Sequence, residues 1–278
     1  MHITFIGGGN MASALIGGLL RNGWESGRIR AADIDAAARD RVARDFGIAV
    51  YDNASAAVAQ ADCVVLAVKP QHLQPVAHEL AAHIPGKLVV SIAAGIRARD
   101  IRRWLGGHSR IVRAMPNTPA LVLSGITGLY ADSSVDAEDR RTAEKVLSVA
   151  GATLWVETEA EIDAVTAVSG SGPAYVFYFL EALESAARKL GFDERAARRL
   201  ALETFSGAVR LAGESAVDFA TLRARVTSKG GTTERALALL EQAHVRGAVE
   251  RAVQGAAERA REMADELGAD EPGRKSER

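Results

Sequence analysis

The sequence predicts an α/β protein in two parts: a doubly wound parallel sheet with helices on both faces, then an all-helical C-terminal domain. Three observations carry this. Short apolar runs alternate with helical stretches through the first half of the chain. Two of those runs, DCVVLAV (62–68) and LVVSIAA (88–94), are continuously apolar, as strands buried on both faces are. From Asp163 onward only helical periodicity remains.

The elements follow in order. HITFIG (2–7) reads as the first strand. Residues 10–22 read as a helix, with Met11, Leu15, Leu19 and Leu20 near helical spacing. RIRAAD (28–33) is a second strand, 35–46 a helix and IAVYD a short strand. RIVRAMP and TGLYAD read as later strands, with a helix at 137–150 between TGLYAD and ATLWVE. In the second part, 174–191 has a wide apolar face and stops at a glycine. ERAARRLALETFSGAVRLAG follows. The last helix, 245–267, carries the stripe Val249, Val253, Ala256, Ala260, Met263 and Leu267 at steps of three and four. The expected division is 1–160 for the sheet domain, 161–267 for the helical domain and 268–278 for a polar, disordered tail. Such wide apolar faces on an Ala-rich domain predict pairing with a second copy of the chain. No internal repeat is visible.

Composition narrows the function classes. The chain has 278 residues, 48% of them hydrophobic, and a formal net charge of −1. That balance gives no electrostatic case for nucleic acid or an anionic membrane surface. No apolar run approaches the roughly 20 residues that cross a bilayer, and the N-terminus does not read as a signal peptide. The single cysteine, Cys63, falls inside a strand and reads as a buried thiol. Six scattered histidines without CxxC or HxxxH spacing argue against a metal site. A cytoplasmic protein fits these features.

FIGGGNMASALIGGLL places Gly7 and Gly9 between a strand and a helix, and Ala12 completes GxGxxA. Gly7 permits the tight turn, Gly9 lets backbone approach a pyrophosphate, and Ala12 allows close helix–strand packing. The helix N-terminus then offers N–H groups and partial positive charge to phosphates. This is the fingerprint of a Rossmann-type dinucleotide site. Asp33 ends the second strand. An acid there bonds a ribose 2′-hydroxyl and leans toward NADH, with Arg30, Arg39 and Arg41 near enough to soften repulsion of a 2′-phosphate. The alternative is a helix N-cap. AVKP (67–70) and IAAG (92–95) follow strands at the same expected edge; Lys69 either touches phosphate or faces solvent.

RAMPNTPALV (113–122) is stiffened by two prolines and suits a wall beside a nicotinamide ring and small substrate. TAVSGSGPAYVFYF (166–179) opens the helical part. VTSKGGTTER (226–235) sets two glycines among hydroxyls, where a helix interior would disfavour them by about 0.5–1 kcal/mol each. Ser228, Gly231, Thr232 and Thr233 at a helix start make either a carboxylate cradle or an ordinary Ser/Thr cap.

Together FIGGGNMA, AVKPQ, SIAAGI, RAMPNTPALV, TAVSGSGPAYVF and TSKGGTT resemble pyrroline-5-carboxylate reductase, from residue 3 to about 265. The resemblance implies a Rossmann domain, a helical dimerisation domain, and NADPH- or NADH-dependent reduction of Δ1-pyrroline-5-carboxylate to L-proline, the last step of proline biosynthesis. It implies interlocked homodimers that often build a decamer of five dimers. Carried over residue by residue, cofactor contacts fall on Ile6, Gly7, Gly8, Gly9, Asn10, Met11, Asn53, Ala67, Val68, Lys69, Pro70, Ala93 and Ala94. The substrate carboxylate and ring fall on Ser228, Gly231, Thr232 and Thr233, with Thr233 the catalytic hydrogen-bond partner of the ring nitrogen. Lys229 stands where many members have proline, and it adds a cation beside the carboxylate site.

Two rivals are weaker. A β-hydroxyacid dehydrogenase shares the architecture but needs a lysine where this chain has Val176. A non-catalytic dinucleotide sensor has no use for TSKGGTT.

Overall fold

The computed structural model describes residues 1–269. The first unit is an eight-stranded sheet with its helices. In chain order it contains β1 (Ile3–Ile6), α1 (Asn10–Arg21), β2 (Ile29–Ala32), α2 (Ala36–Phe46), β3 (Ala49–Tyr51), α3 (Ala54–Val58), β4 (Cys63–Leu66), α4 (Leu73–Leu80), β5 (Leu88–Ser91), α5 (Ala98–Trp104), β6 (Ile111–Met115), β7 (Gly125–Tyr130), α6 (Ala137–Leu147), β8 (Gly151–Trp155) and α7 (Glu159–Val165). The strand order is β3-β2-β1-β4-β5-β6-β7-β8.

Every residue of β1, β4 and β5 is buried. Side-chain alternation splits them between two cores. Ile3, Phe5, Cys63 and Val65 join Leu15, Leu19 and Val42 on one face. Ile6, Val64 and Leu66 join Leu73, Leu80 and Ile101 on the other. Burial among apolar side chains pushes the Cys63 thiol up to about 12, helped by the negative charges of Asp139 and Asp62.

The sheet departs from the all-parallel expectation at one pair. β6 and β7 are antiparallel, with Arg113 opposite Tyr130 and Met115 opposite Gly128. The connection, 116–124, contains only a short 3₁₀ turn, Thr118–Val122. It is too short for a parallel crossover, which takes about a dozen residues or more.

The second unit holds α8 (Gly172–Lys189), α9 (Glu194–Gly213), α10 (Phe219–Arg225), α11 (Thr232–Gln242) and the first part of α12 (Val245–Gly268). The chain divides at Ser171/Gly172 and Gly255/Ala256. Thus α7 and the end of α12, expected with the helical part, belong to the sheet unit. The physical reasons are specific. Asp163 of α7 pairs with buried Arg113 of β6, and Leu267 of α12 packs on the second core. The tail expected at 268–278 lies outside the described residues from 270 onward.

Within the second unit α8 and α9 pack together, with Ala197 and Ala201 fully buried. Large apolar side chains nevertheless remain exposed in a single chain, including Phe177, Tyr178, Leu190 and Phe219. So much apolar surface on one helical unit marks a protein–protein contact face.

Candidate active site

Strand register builds the dinucleotide edge of the first unit. Ile6 pairs with Ala32 on one side and Leu66 on the other, and Leu66 pairs with Ser91. The chain therefore leaves β2, β1, β4 and β5 at one level, which sets Asp33, the Gly7–Gly9 turn, Ala67–Pro70 and Ala93–Ala94 along the carboxyl edge. β1 and β4 run parallel, but successive strands are added to one side as far as β3 and to the other side from β4 onward, so the strand order reverses between β1 and β4, where open α/β sheets bind ligands.

Gly7 has φ +105°, and a Cβ there would sit 2.6 Å from the Ala67 carbonyl oxygen. Only glycine fits. Its N–H donates to the Ala32 carbonyl at 2.7 Å, which carries the β1–β2 ladder to the start of the turn. Gly9 is different: nothing lies within 4 Å of where its Cβ would be. Protein packing leaves that position free, which suits an external group approaching the backbone. Gly9 is the N-cap of α1 and supplies no side-chain cap, and the first turn holds no acidic residue. The N–H groups of Asn10, Met11 and Ala12 belong to that uncapped first turn. These features fit the pyrophosphate of a dinucleotide. Ala12 is 1% exposed, packed as close helix–strand contact demands.

Asp33 is not the helix cap; Asp35 is, accepting from the Ala37 N–H at 3.0 Å. The Asp33 carboxylate instead accepts the Gly8 N–H at 2.7 Å and the Asp35 N–H at 2.9 Å. Arg39 donates to the Asp33 and Ile34 carbonyls, and Arg41 donates to the Gly8 carbonyl at 2.9 Å. Both guanidinium groups thus bind backbone oxygens, Arg41 at the glycine turn and Arg39 just after β2. Asn53 caps α3 by accepting from the Ala56 N–H. Lys69 is exposed. Ala93 is buried, and its N–H donates to the Ser91 hydroxyl.

Sequence reasoning missed two buried polar residues here, one holding the Pro-stiffened loop after β6 and one in β6 itself. Asn117 is buried; its Oδ1 accepts the Ile126 N–H at 2.9 Å and its Nδ2 donates to the Ser169 carbonyl at 3.1 Å. Ser169 lies in a π-helical turn, Thr166–Gly170, a distortion that often marks functional segments. Arg113, 2% exposed, pairs with Glu159 and Asp163 at 3.2 Å each. The one available signal was a cation inside an apolar strand run, since a buried charge requires partners.

In the second unit, Gly231 is the N-cap of α11 and supplies no side-chain cap. Gly230 has φ +73°, and its N–H donates to Glu234 Oε2 at 2.7 Å. The acid three residues into the helix therefore folds back on the turn, while the ordinary Ser/Thr-cap reading fails. Ser228 sits against Gly231, its hydroxyl oxygen 2.5 Å from where a Cβ would be. Thr232 and Thr233 open the helix with their N–H groups in its first turn.

Residues 159–263 match the family described as pyrroline-5-carboxylate reductase dimerisation, and 2–95 match NADP oxidoreductase, coenzyme F420-dependent. A pyrroline-5-carboxylate reductase of Pseudomonas aeruginosa is 47% identical over 96% of this chain and 98% of its own. The solved structure of the reductase from Coxiella burnetii is 41% identical, with a TM-score of 0.90 over 95% of this chain and 98% of that one. The Plasmodium falciparum structure, which has NADP bound, is 27% identical, with a TM-score of 0.86 over 95% and 98% of the two chains. Sequence, fold and glycine turns agree, and the chain belongs to the pyrroline-5-carboxylate reductase family.

Proposed function

We infer that this chain reduces Δ1-pyrroline-5-carboxylate to L-proline with NADPH or NADH. The observation that carries the reading is the uncapped α11 N-terminus at Gly231, among hydroxyls, in a chain 47% identical to a reductase of that name. Backbone N–H groups and hydroxyls there bind a carboxylate without an arginine.

The roles divide between the two glycine turns. Gly7, Gly8 and Gly9, with the N–H groups of Asn10 and Met11, hold the cofactor pyrophosphate. Ile6, Asn53, Ala67, Val68, Lys69, Pro70, Ala93 and Ala94 line the rest of its path, and Asp33 meets the adenosine ribose. Ser228, Gly231 and Thr232 hold the substrate carboxylate. When bound, the nicotinamide supplies a hydride to the imine carbon. The ring nitrogen gains a proton, and Thr233 or a water hydrogen-bonded to it holds that proton in place. An imine of this type is basic enough that no strong protein acid is needed. The residues act by positioning.

The matched family is a dimerisation family, and the exposed apolar side chains of α8 and α9 suit that use. We take the unit to pair in a homodimer and five dimers to form a decamer. Sedimentation separates these states, and a stable monomer at micromolar concentration overturns the assignment. No described helix is long and apolar enough to cross a membrane. We place the enzyme in the cytoplasm, with its small charged substrate.

The deciding experiment follows loss of reduced-nicotinamide absorbance with pyrroline-5-carboxylate, separately for NADH and NADPH. Turnover with either supports the reading. Cofactor binding without turnover sinks it and leaves a likeness of fold.

A further inference from the structure

The turn after β5 is built against the far end of the chain. Gly95 has φ +70°, and a Cβ there would lie 3.2 Å from Met263 Cβ and 3.4 Å from Leu267 Cδ1. The Gly95 backbone is therefore packed directly against the Met263 and Leu267 side chains of α12, with no room for a side chain of its own. Four further contacts fix this docking. Leu267 inserts beside the second core. Asp265 pairs at 2.6 Å with Arg97, the N-cap residue of α5. Arg103 Nη2 donates to the Gly268 carbonyl at 2.6 Å. The buried Asp100 carboxylate presses so close to Gly268 that a Cβ at 268 would collide with its Oδ2.

These contacts converge on one segment. Ala93 and Ala94 precede Gly95 directly, while Arg97 and Asp100 follow it at the start of α5. At the start of α5, the Ala98 N–H donates to Glu159 Oε1 at 2.6 Å. The turn is thus packed by α12 at Gly95 and held through Arg97 and Ala98 at the start of α5. Asp265, Leu267 and Gly268 lie beyond residues 159–263 matched by the dimerisation family.

We propose that the end of α12, residues 263–268, is a positioning element for the cofactor: it holds the 93–95 turn in the shape that receives the dinucleotide. A glycine in left-handed conformation has many alternatives open to it. Packing by Met263 and Leu267 removes them. Without α12 the turn samples other shapes, and binding has to order it again. The inference rests on the reading that Ala93 and Ala94 touch the cofactor.

The test measures Kd for NADPH and NADH by fluorescence titration of the full chain without substrate, KM for pyrroline-5-carboxylate at saturating cofactor, and thermal melting. Gly268→Ala drives a methyl into Asp100 and should raise the cofactor Kd on the order of tenfold, with substrate KM unchanged. Asp265→Arg should raise it less. The double variant Arg97→Asp/Asp265→Arg should recover the affinity, which a general loss of stability would not. Asp265 is 71% exposed, so that variant decides the matter if Gly268→Ala does not fold. Ala94→Leu is the control for the underlying reading. If it raises Kd while Gly268→Ala and Asp265→Arg leave Kd unchanged, the α12 end is only structural. If Ala94→Leu itself leaves Kd unchanged, the turn does not touch the cofactor and the proposal fails with that reading.

Discussion

Asp33 accepts the Gly8 N–H at 2.7 Å, so the acid at the end of β2 is bonded directly to the glycine turn beside it. One carboxylate oxygen braces that turn. The other takes the Asp35 N–H at 2.9 Å. Each oxygen keeps lone-pair capacity for a ribose hydroxyl. A 2′-phosphate, by contrast, would meet a fixed negative charge whose neighbouring arginines are already engaged with carbonyl oxygens.

Asp33→Ser should therefore move cofactor preference toward NADPH, raising the NADPH/NADH ratio of kcat/KM by roughly tenfold, or about 1.4 kcal/mol. Steady-state kinetics with both cofactors measures it. An unmoved ratio would leave Asp33 as a brace for Gly8 and nothing more.

Thr233→Ala should lower kcat/KM for pyrroline-5-carboxylate. One lost hydrogen bond, about 0.5–1.5 kcal/mol, corresponds to roughly 2- to 13-fold. Thr233 is not the N-cap of α11, so melting should change little. Unchanged kinetics in a folded variant would remove Thr233 from the site.

Arg113→Met deletes a buried cation and leaves Asp163 and Glu159 without it. Breaking a buried pair from one side costs about 3–5 kcal/mol. Equilibrium unfolding should show a loss of that order, and adding Asp163→Asn should recover part of it. Additive losses in the double variant would mean that the pair is not coupled.

His108 gives a pH dependence. Burial lowers its pKa from the ordinary 6.5, against opposing hydrogen bonds to the Lys87 and Arg110 backbone; the Arg110 charge adds to the lowering and that of Asp139 opposes it. A depressed histidine favours the neutral form when folded. Its contribution is complete above pH 6.5 and is lost as pH falls below that value. Melting temperatures taken stepwise below pH 6.5 should fall less steeply for His108→Gln than for the parent. Parallel curves would rule the residue out.

The sequence alone determined the strand–helix alternation, the dinucleotide turn at Gly7–Gly9 and the unusual glycines at 230 and 231. Each is a local matter: apolar periodicity, a backbone conformation only glycine adopts, a helix start. The tertiary structure decided the rest. Nothing local to TGLYAD says that β7 runs against β6; the short connection and the neighbouring strand do. Asp33 could be read in sequence as a ribose ligand or a helix cap, and only the place of Gly8 beside it, with Asp35 capping α2, assigns its work. Arg113 was passed over in the sequence, because its partners come from a helix some fifty positions away. The end of α12 belongs with the sheet because Met263 and Leu267 find apolar surface at Gly95 and the second core. Apolar stripes specify that a face must be covered, while the covering surface is chosen by the packing of the whole chain.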